Sequence, residues 1–371
     1  LGLVGSEMCI RDSPWEEDLA FAREVCKAAG VPLEVVPLQR QYWDRVVSYT
    51  IAELKEGRTP SPDIFCNQRV KFGAFLEEVG DGFDRVATGH YARTEEAGGL
   101  HWLKKGVDPV KDQTYFLCYL DQAQLSRCIF PLGALPKLEV RTLAERYGLP
   151  NSSRPDSQGI CFLGKISYND FVRHHLGEKP GDIIRRETGE KLGEHRGFWF
   201  HTVGQRRGLG LAQGPWFVSG KDVEENIVYV SHADELPEAS RSEYRIGEPH
   251  WISAPPGEGS LQVKLRHSEQ VYDCELSGPG PGDAVVRLAD ADAGVAAGQF
   301  TVFYKGDVCL GAAPDQARGA ATPARALLIT PEKGVAPAAN ALFGGVFGQR
   351  RGIDWVPPGR PGADFSRLRM R

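Results

Sequence analysis

From Pro14 onward the apolar positions fall first at helical spacing. Leu19, Phe21, Ala22, Val25 and Cys26 share one face, Gly30 stops the run, and Leu33-Glu34-Val35-Val36 then reads as a short strand. A second helix is expected from about Tyr42 to Leu54, closed by Gly57, and a third carries Phe72, Phe75, Leu76 and Val79. Arg85-Val86-Ala87-Thr88-Gly89-His90 reads as a short buried strand opening into a loop. Helices alternating with short apolar strands predict a doubly wound parallel sheet, whose ligands sit beyond the carboxyl ends of the strands, where Thr88-Gly89-His90 falls.

Between Lys111 and about Leu149 the pattern is helical again, first through Tyr115, Phe116, Leu117, Leu120 and Leu125, then from Lys137 through Tyr147. After Cys161 the composition changes: Gly and Pro become frequent between short β-rich pieces. Gly197-Phe198-Trp199-Phe200, Trp216-Phe217-Val218, Ile227-Val228-Tyr229-Val230, Leu261-Gln262-Val263-Lys264-Leu265, Phe300-Thr301-Val302-Phe303-Tyr304 and Asp307-Val308-Cys309-Leu310 are separated by Gly- and Pro-rich turns. This predicts a β-barrel, with the compact part of the chain ending near Ala313. Beyond Gln316 the sequence is rich in Ala, Gly and Pro and holds nine Lys or Arg against three Asp or Glu, which reads as a weakly ordered basic tail.

The composition adds exclusions. No apolar run is long enough to span a bilayer, so no membrane partner is expected. A net charge of −5 argues against whole-surface attraction to nucleic acid and leaves room for a local basic groove. Eight cysteines without a CxxC pair suit a reducing compartment and predict no structural metal.

Two of those cysteines stand in polar cassettes that read as turns exposing a thiol: Ser61-Pro62-Asp63-Ile64-Phe65-Cys66-Asn67 and Arg154-Pro155-Asp156-Ser157-Gln158-Gly159-Ile160-Cys161-Phe162. A thiolate needs a partly exposed, electropositive setting, which Arg69 and Lys71, or Arg154 and Lys165, are placed to supply. The alternative is that both cysteines are small hydrophobes at element ends.

Together with Gly57-Arg58-Thr59-Pro60, Lys71-Phe72, Ala87-Thr88-Gly89-His90-Tyr91-Ala92, Lys111-Asp112-Gln113, Phe130-Pro131-Leu132-Gly133 and Thr202-Val203-Gly204-Gln205-Arg206, these cassettes resemble the tRNA-specific 2-thiouridylases. Those are ATP-dependent enzymes that replace the 2-oxygen of the wobble uridine by sulfur. The resemblance runs from about Pro14 to Ala313. It implies an α/β plus β architecture: a parallel-sheet nucleotide-binding domain of the adenine nucleotide alpha-hydrolase type, a small helical module and a C-terminal β-barrel. The expected segments are a foreign start at 1–13, a truncated nucleotide-binding domain at 14–110, a helical tRNA-binding module at 111–160, a first β-rich domain at 161–235, the barrel at 236–313 and the tail at 314–371.

The resemblance also implies roles. Cys161 accepts sulfur as a persulfide and Cys66 acts on that persulfide, with Asp156 placed as acid or base; a turn or cap aspartate is the alternative for Asp156. Ser61, Pro62 and Asp63 match the segment that meets the target base, with Ser61 where the family more often has Asn. Gly89 matches a nucleotide-contacting glycine. His90, the triplet Lys111, Asp112 and Gln113, and Arg266, His267 and Gln299 match tRNA contacts, with His267 in place of Tyr. On the residues alone, His90 reads first as structural and the triplet by default as a charged helix start; the flanking match reverses the reading for His90. ATP with Mg2+, a sulfur-donor protein and tRNAs of the Lys, Glu and Gln type are the implied partners of a monomer.

The family's Ser-Gly-Gly-Val-Asp-Ser loop, which wraps the phosphates of ATP, has no counterpart in the sequence. A truncated or chimeric start is expected, and weak catalysis by the chain as written. Two alternatives follow: a tRNA-binding remnant, or a dithiol oxidoreductase, disfavoured by the absence of CxxC. Pro14-Trp15-Glu16-Glu17-Asp18 and Gly197-Phe198-Trp199-Phe200 are similar to the plant and algal branch. Plastid or mitochondrion is the expected location for such a chain, and the cytoplasm for a bacterial one.

Overall fold

A computed structural model describes residues 15–153, 167–236, 241–256, 260–278 and 284–316. Helix α1 (Trp15–Ala29) closes on Gly30, whose φ of +67° lets the Val31 N–H turn back to the Cys26 carbonyl at 2.9 Å. Residues 31–38 carry no strand, so the one expected at Leu33–Val36 is not formed. No described neighbour supplies the ladder that a strand needs, and Val31, Leu33 and Val35 stand exposed.

Two continuous helical rods follow. The first joins α2 (Gln39–Tyr42), a wide π segment (Trp43–Val47) and α3 (Ser48–Lys55), burying Tyr42, Val46, Val47, Thr50 and Leu54 along one face. The second joins α4 (Pro62–Phe65), a π segment (Cys66–Ala74) and α5 (Phe75–Val79), and ends at Gly80 with φ +59°. The cassette expected to form an exposed turn is therefore the start of a helix. Pro62 occupies its first turn, where a missing N–H costs nothing, and Ile64, Phe65 and Val70 draw it into the core.

Strand β1 (Val86–Ala87) precedes a hairpin of β2 (Ala92–Ala97) and β3 (Leu100–Lys105), turned at Gly98 and Gly99, both with positive φ. Short helices α6 (Thr114–Leu117) and α7 (Gln122–Ser126) lead to β4 (Cys128–Ile129), which pairs parallel with β1. This pair is the described part of the parallel sheet. β1 is half-exposed rather than buried, since β4 is its one described neighbour. Helices α8 (Lys137–Arg146) and α9 (Tyr168–Leu176) follow, α9 capped by the Ser167 hydroxyl accepting from the Asp170 N–H at 3.1 Å.

A four-stranded sheet contains β5 (Gly181–Arg185), β6 (Lys191–His195), β7 (Trp216–Asp222) and β8 (Ile227–His232) in the order β6-β5-β8-β7. Phe198–Phe200, expected as a strand, is a 3-10 turn whose Phe198 plugs the core of this sheet. The last strands are β9 (Arg241–Arg245), β10 (His250–Trp251), β11 (Leu261–Lys264), β12 (Tyr272–Ser277), β13 (Val285–Asp292), β14 (Phe300–Lys305) and β15 (Val308–Pro314). They form an antiparallel sheet that the hairpin β2–β3 extends through β3–β15 pairing. One apolar core consequently runs from Cys66, Val70 and Phe72 to Phe300, Val302, Tyr304 and Ala312.

Candidate active site

The second rod positions the first cysteine. Cys66 opens the π segment and is 0% exposed, so the expectation of an exposed thiol is corrected for this residue. A π turn widens the helix and displaces backbone from its regular ladder, a distortion common at functional positions. Arg69, expected to lend Cys66 positive charge, instead lies 3.8 Å from the centroid of the Phe65 ring and donates to the Arg45 carbonyl at 3.1 Å. Phe65 itself meets Tyr49, Tyr119 and Phe300 edge-on, which fixes the start of the rod against β14.

Asn67, to which the sequence reading gave no separate role, is 2% exposed. Its Nδ2 donates to the Phe116 carbonyl at 3.0 Å, while its Oδ1 is buried without a protein partner. A buried acceptor left open beside a cysteine is an invitation to a donor on a bound molecule. The signal available in the sequence was its place directly after Cys66.

The loop before the rod is held from both sides. The Thr59 N–H donates to the Ala297 carbonyl at 2.8 Å, and Gly298, with φ +87°, leaves room for Arg58 and Thr59, whose atoms lie 2.8–3.0 Å from where a Cβ would stand. On the other side Gly57, with φ +72°, faces Val223. Arg58 forms a two-pronged pair with Glu53, both bonds 2.7 Å. Ser61, Pro62 and Asp63 are thus delivered by a loop wedged between the two β domains, and Gln299 follows the wedge directly.

Around Phe116 the remaining residues converge. The His267 ring packs at a tilt on Phe116, centroids 4.4 Å apart, and bonds the Asp112 carbonyl through Nε2 at 3.2 Å. Burial lowers its pKa, opposed in part by Asp112 and by Asp63, which places Asp63 within electrostatic reach. Asp112 points inward: its carboxylate is ion-paired with buried Lys264 at 3.1 Å and accepts from the Thr114 hydroxyl at 2.8 Å. The carboxylate of Asp112, a residue expected among the tRNA contacts, is thus held by the lysine of strand β11. Gln113 is likewise engaged, its Oε1 accepting from the Tyr91 N–H at 3.0 Å. Lys111 is half-buried beside them. Just after β11, Arg266 has a guanidinium paired to Asp292, whose other oxygen accepts from the Gly294 N–H at 2.6 Å.

Gly89 and His90 stand further along the rod, beside Phe72. Among the described residues only Leu132 lies within 4 Å of a notional Gly89 Cβ, at 3.8 Å, so those residues do not demand glycine there. The His90 Nδ1 shares a 2.8 Å bond with the Thr88 hydroxyl, and the ring meets Phe130 edge-on. Burial, with Lys71 nearby, pushes its pKa down to about 3, so the imidazole is neutral at physiological pH. Asp156, Cys161, Arg154 and Lys165 lie outside the described residues, as does the 1–13 start. Among the described residues no group of three or more His, Cys, Asp or Glu could hold a metal ion.

Three family models match the chain: a tRNA methyl transferase HUP domain over residues 5–165, a tRNA methyl transferase PRC-barrel domain over 169–232, and an aminomethyltransferase beta-barrel domain over 241–314. The chain is 46% identical over 318 residues to tRNA-specific 2-thiouridylase MnmA 2 of Bacteroides fragilis strain YCH46, covering 84% of this chain and 89% of the relative. It belongs to the tRNA-specific 2-thiouridylase family. MnmA 1 of Bacteroides thetaiotaomicron is 47% identical with the same coverage, and MnmA of Parabacteroides distasonis is 45% identical over 308 residues, 81% of this chain and 86% of that protein. The model descriptions speak of methyl transfer and the relatives' names of thiouridylation; the long, even identity is with the latter. Membership gives the convergence on Phe116 a frame, since the residues gathered there come from the HUP and beta-barrel matches alike.

Proposed function

We propose that this chain is a tRNA-uridine 2-sulfurtransferase that makes 2-thiouridine at the wobble position. The observation that carries this reading is the family membership across more than four-fifths of the chain. The helix start that carries Ser61-Pro62-Asp63 and leads into Cys66-Asn67, with Asn67 and His267 meeting at Phe116, supports it. ATP, with Mg2+ at its phosphates, activates the 2-oxygen of uridine as an adenylate, so that AMP becomes the leaving group. Gly89, at an open strand end, suits close approach by the nucleotide; no phosphate-binding loop stands among the described residues.

In this reading Cys161 carries a persulfide loaded by a donor protein. Its outer sulfur attacks C2 as AMP leaves; the Cys66 thiolate then attacks the inner sulfur, the S–S bond breaks, and the outer sulfur stays on the base as the thiocarbonyl. The product on the protein is a Cys66–Cys161 disulfide, which an external dithiol reduces. Asp156 takes or returns a proton near the persulfide. Asn67 Oδ1 is suited to accept the uridine imino N–H, and Pro62 and Ser61 to wall the base. Lys111, Gln113, His90, Arg266, His267 and Gln299 are proposed to line the tRNA path, the Lys, Glu and Gln tRNAs being the expected substrates. For location the proposal stays two-sided: the cytoplasm for a bacterial chain, plastid or mitochondrion for one of the plant and algal branch.

The test is thionucleoside analysis of tRNA after incubation with the chain, ATP, Mg2+ and a persulfide donor. ATP-dependent 2-thiouridine is the expected result. tRNA binding without product would favour a binding remnant, and RNA-independent disulfide exchange an oxidoreductase.

A further inference from the structure

The segment Thr202-Val203-Gly204-Gln205-Arg206-Arg207-Gly208-Leu209-Gly210 has no part in the chemistry above, yet its geometry is built with care. It arches with the residues up to Trp216 around an open cavity of about 330 Å³ lined by Arg206, Gly208, Gly210, Leu211, Pro215 and Trp216. Two side chains hold the arch. Gln205 accepts from the Thr202 N–H at 2.9 Å and donates to the Arg207 carbonyl at 2.8 Å, while the Trp216 indole donates to the Ala212 carbonyl at 2.9 Å. Gly208, Gly210 and Gln213 all take positive φ, and among the described residues no backbone N–H from 206 to 214 is bonded within the protein. N–H groups left unbonded in a loop with several positive-φ residues are donors available to an anion.

The charges agree. Arg206 and Arg207 are exposed and, among the described residues, neither forms an ion pair, in a chain whose net charge is −5. Most other surface arginines near this sheet are engaged, as Arg185 is with Glu235 and Arg173 with Glu178. Two guanidiniums left unpaired on a rigid loop suit a partner that brings negative charge. The position selects which one. Gly204 packs on Gly294, 2.9 Å from its notional Cβ to the Gly294 Cα, and the Gly294 N–H caps the same Asp292 that holds Arg266. The loop therefore continues the line of Arg266 and His267 onto the second domain, as the backbone of one long polyanion would require.

We infer that the Arg206–Trp216 loop is a binding site for the phosphodiester backbone of the RNA substrate, remote from the modified base. This rests on the reading of the chain as a tRNA-modifying enzyme. Each phosphate contact contributes about 0.7–0.9 to the slope of log affinity against log salt. Arg206→Ala/Arg207→Ala should therefore lower the slope for tRNA by about 1.4–1.8 and weaken binding roughly 20-fold near 0.15 M salt. Arg206→Lys/Arg207→Lys should keep the slope. Both side chains are exposed, so circular dichroism melts of the variants should match the parent. Anisotropy titrations of labelled tRNA across a salt series read these values, with inorganic phosphate as a competing probe. Wild-type binding with an unchanged slope in the Ala pair would overturn this site alone, as would inorganic phosphate that binds there tightly while the tRNA slope stays unchanged. A wild-type chain that binds no tRNA would overturn the reading of the whole protein and this site with it.

Discussion

Asp112 offers the sharpest test of how the helical module and the antiparallel sheet are joined. Its side chain is 2% exposed and that of Lys264, which it meets at 3.1 Å, 5%. Lys105 and Lys264 both flank the Tyr304 ring, at 4.4 and 5.8 Å; burial and then the Lys264 charge lower the pKa of Lys105 while Asp112 raises it, so the carboxylate helps two amines approach one aromatic face. Asp112→Ala leaves the Lys264 amine buried without its anion and strips acceptors from the Thr114 hydroxyl and the Gly106 N–H. Removing one partner of a buried pair costs about 3–5 kcal/mol, whereas replacing both with apolar groups is often near neutral. Asp112→Ala should then accelerate amide exchange around Gly106 and Thr114 by roughly a hundredfold or more. The double variant Asp112→Ala/Lys264→Met should recover most of that protection, with a coupling above about 2 kcal/mol in the cycle. If Asp112 instead faced RNA, the single variant would exchange like the parent and lose only tRNA affinity. A coupling below about 0.5 kcal/mol would refute the clasp.

Other outcomes follow from the same contacts. Gly298→Ala puts a Cβ 2.8 Å from that of Arg58 at a φ of +87°, and should lower turnover at least tenfold through displacement of Ser61–Asp63, while tRNA affinity measured by anisotropy changes little. His90 is neutral in the fold at a pKa near 3 and would charge near 6.5 when unfolded, so its contribution is complete above about pH 6.5 and is lost as pH falls toward 3. With its partial exposure discounted this is about 1–2 kcal/mol between pH 7 and 4.5, seen as a flatter acid-denaturation slope in His90→Gln; an NMR titration of the ring with a midpoint near 6.5 would contradict it. Asn67→Ala removes both the Phe116 bond and the open acceptor, and should reduce thiolation by two orders of magnitude with Cys66 still alkylated by iodoacetamide in the unfolded chain, a check that the thiol is intact.

The sequence made the helical rods readable because Val46, Thr50 and Leu54 repeat at one face, and the strands around Phe300–Tyr304 and Ile227–Val230 because apolar positions cluster between turns. It made the cassette around Cys66 look like a turn, since Ser61, Pro62, Asp63 and Asn67 are all turn formers; the burial of Ile64 and Phe65 against Phe300, more than two hundred residues away, is what makes it a helix. The hairpin at 92–105 was not legible because β2 carries Arg, Thr and two Glu, and its partner β3 is anchored by β15, about two hundred residues further along the chain. The inward turn of Asp112 has the same origin. Its partner lies 152 positions later, and a Lys-Asp-Gln triplet on paper carries no mark of which side chain faces in. Leu33–Val36 has strand composition without a described strand to pair with, and composition cannot supply the missing ladder.

Whether Cys66 does chemistry despite its burial is the question on which the account turns, and trapping the protein after one turnover asks it directly. The chain loaded with persulfide sulfur is mixed with tRNA and ATP without reductant, quenched in acid, and digested for mass spectrometry alongside tRNA nucleosides. A peptide pair joined through Cys66 and Cys161, formed in step with 2-thiouridine and abolished together with it in Cys66→Ser, is the predicted result. 2-Thiouridine formed at the parental rate by Cys66→Ser or Cys161→Ser would contradict it.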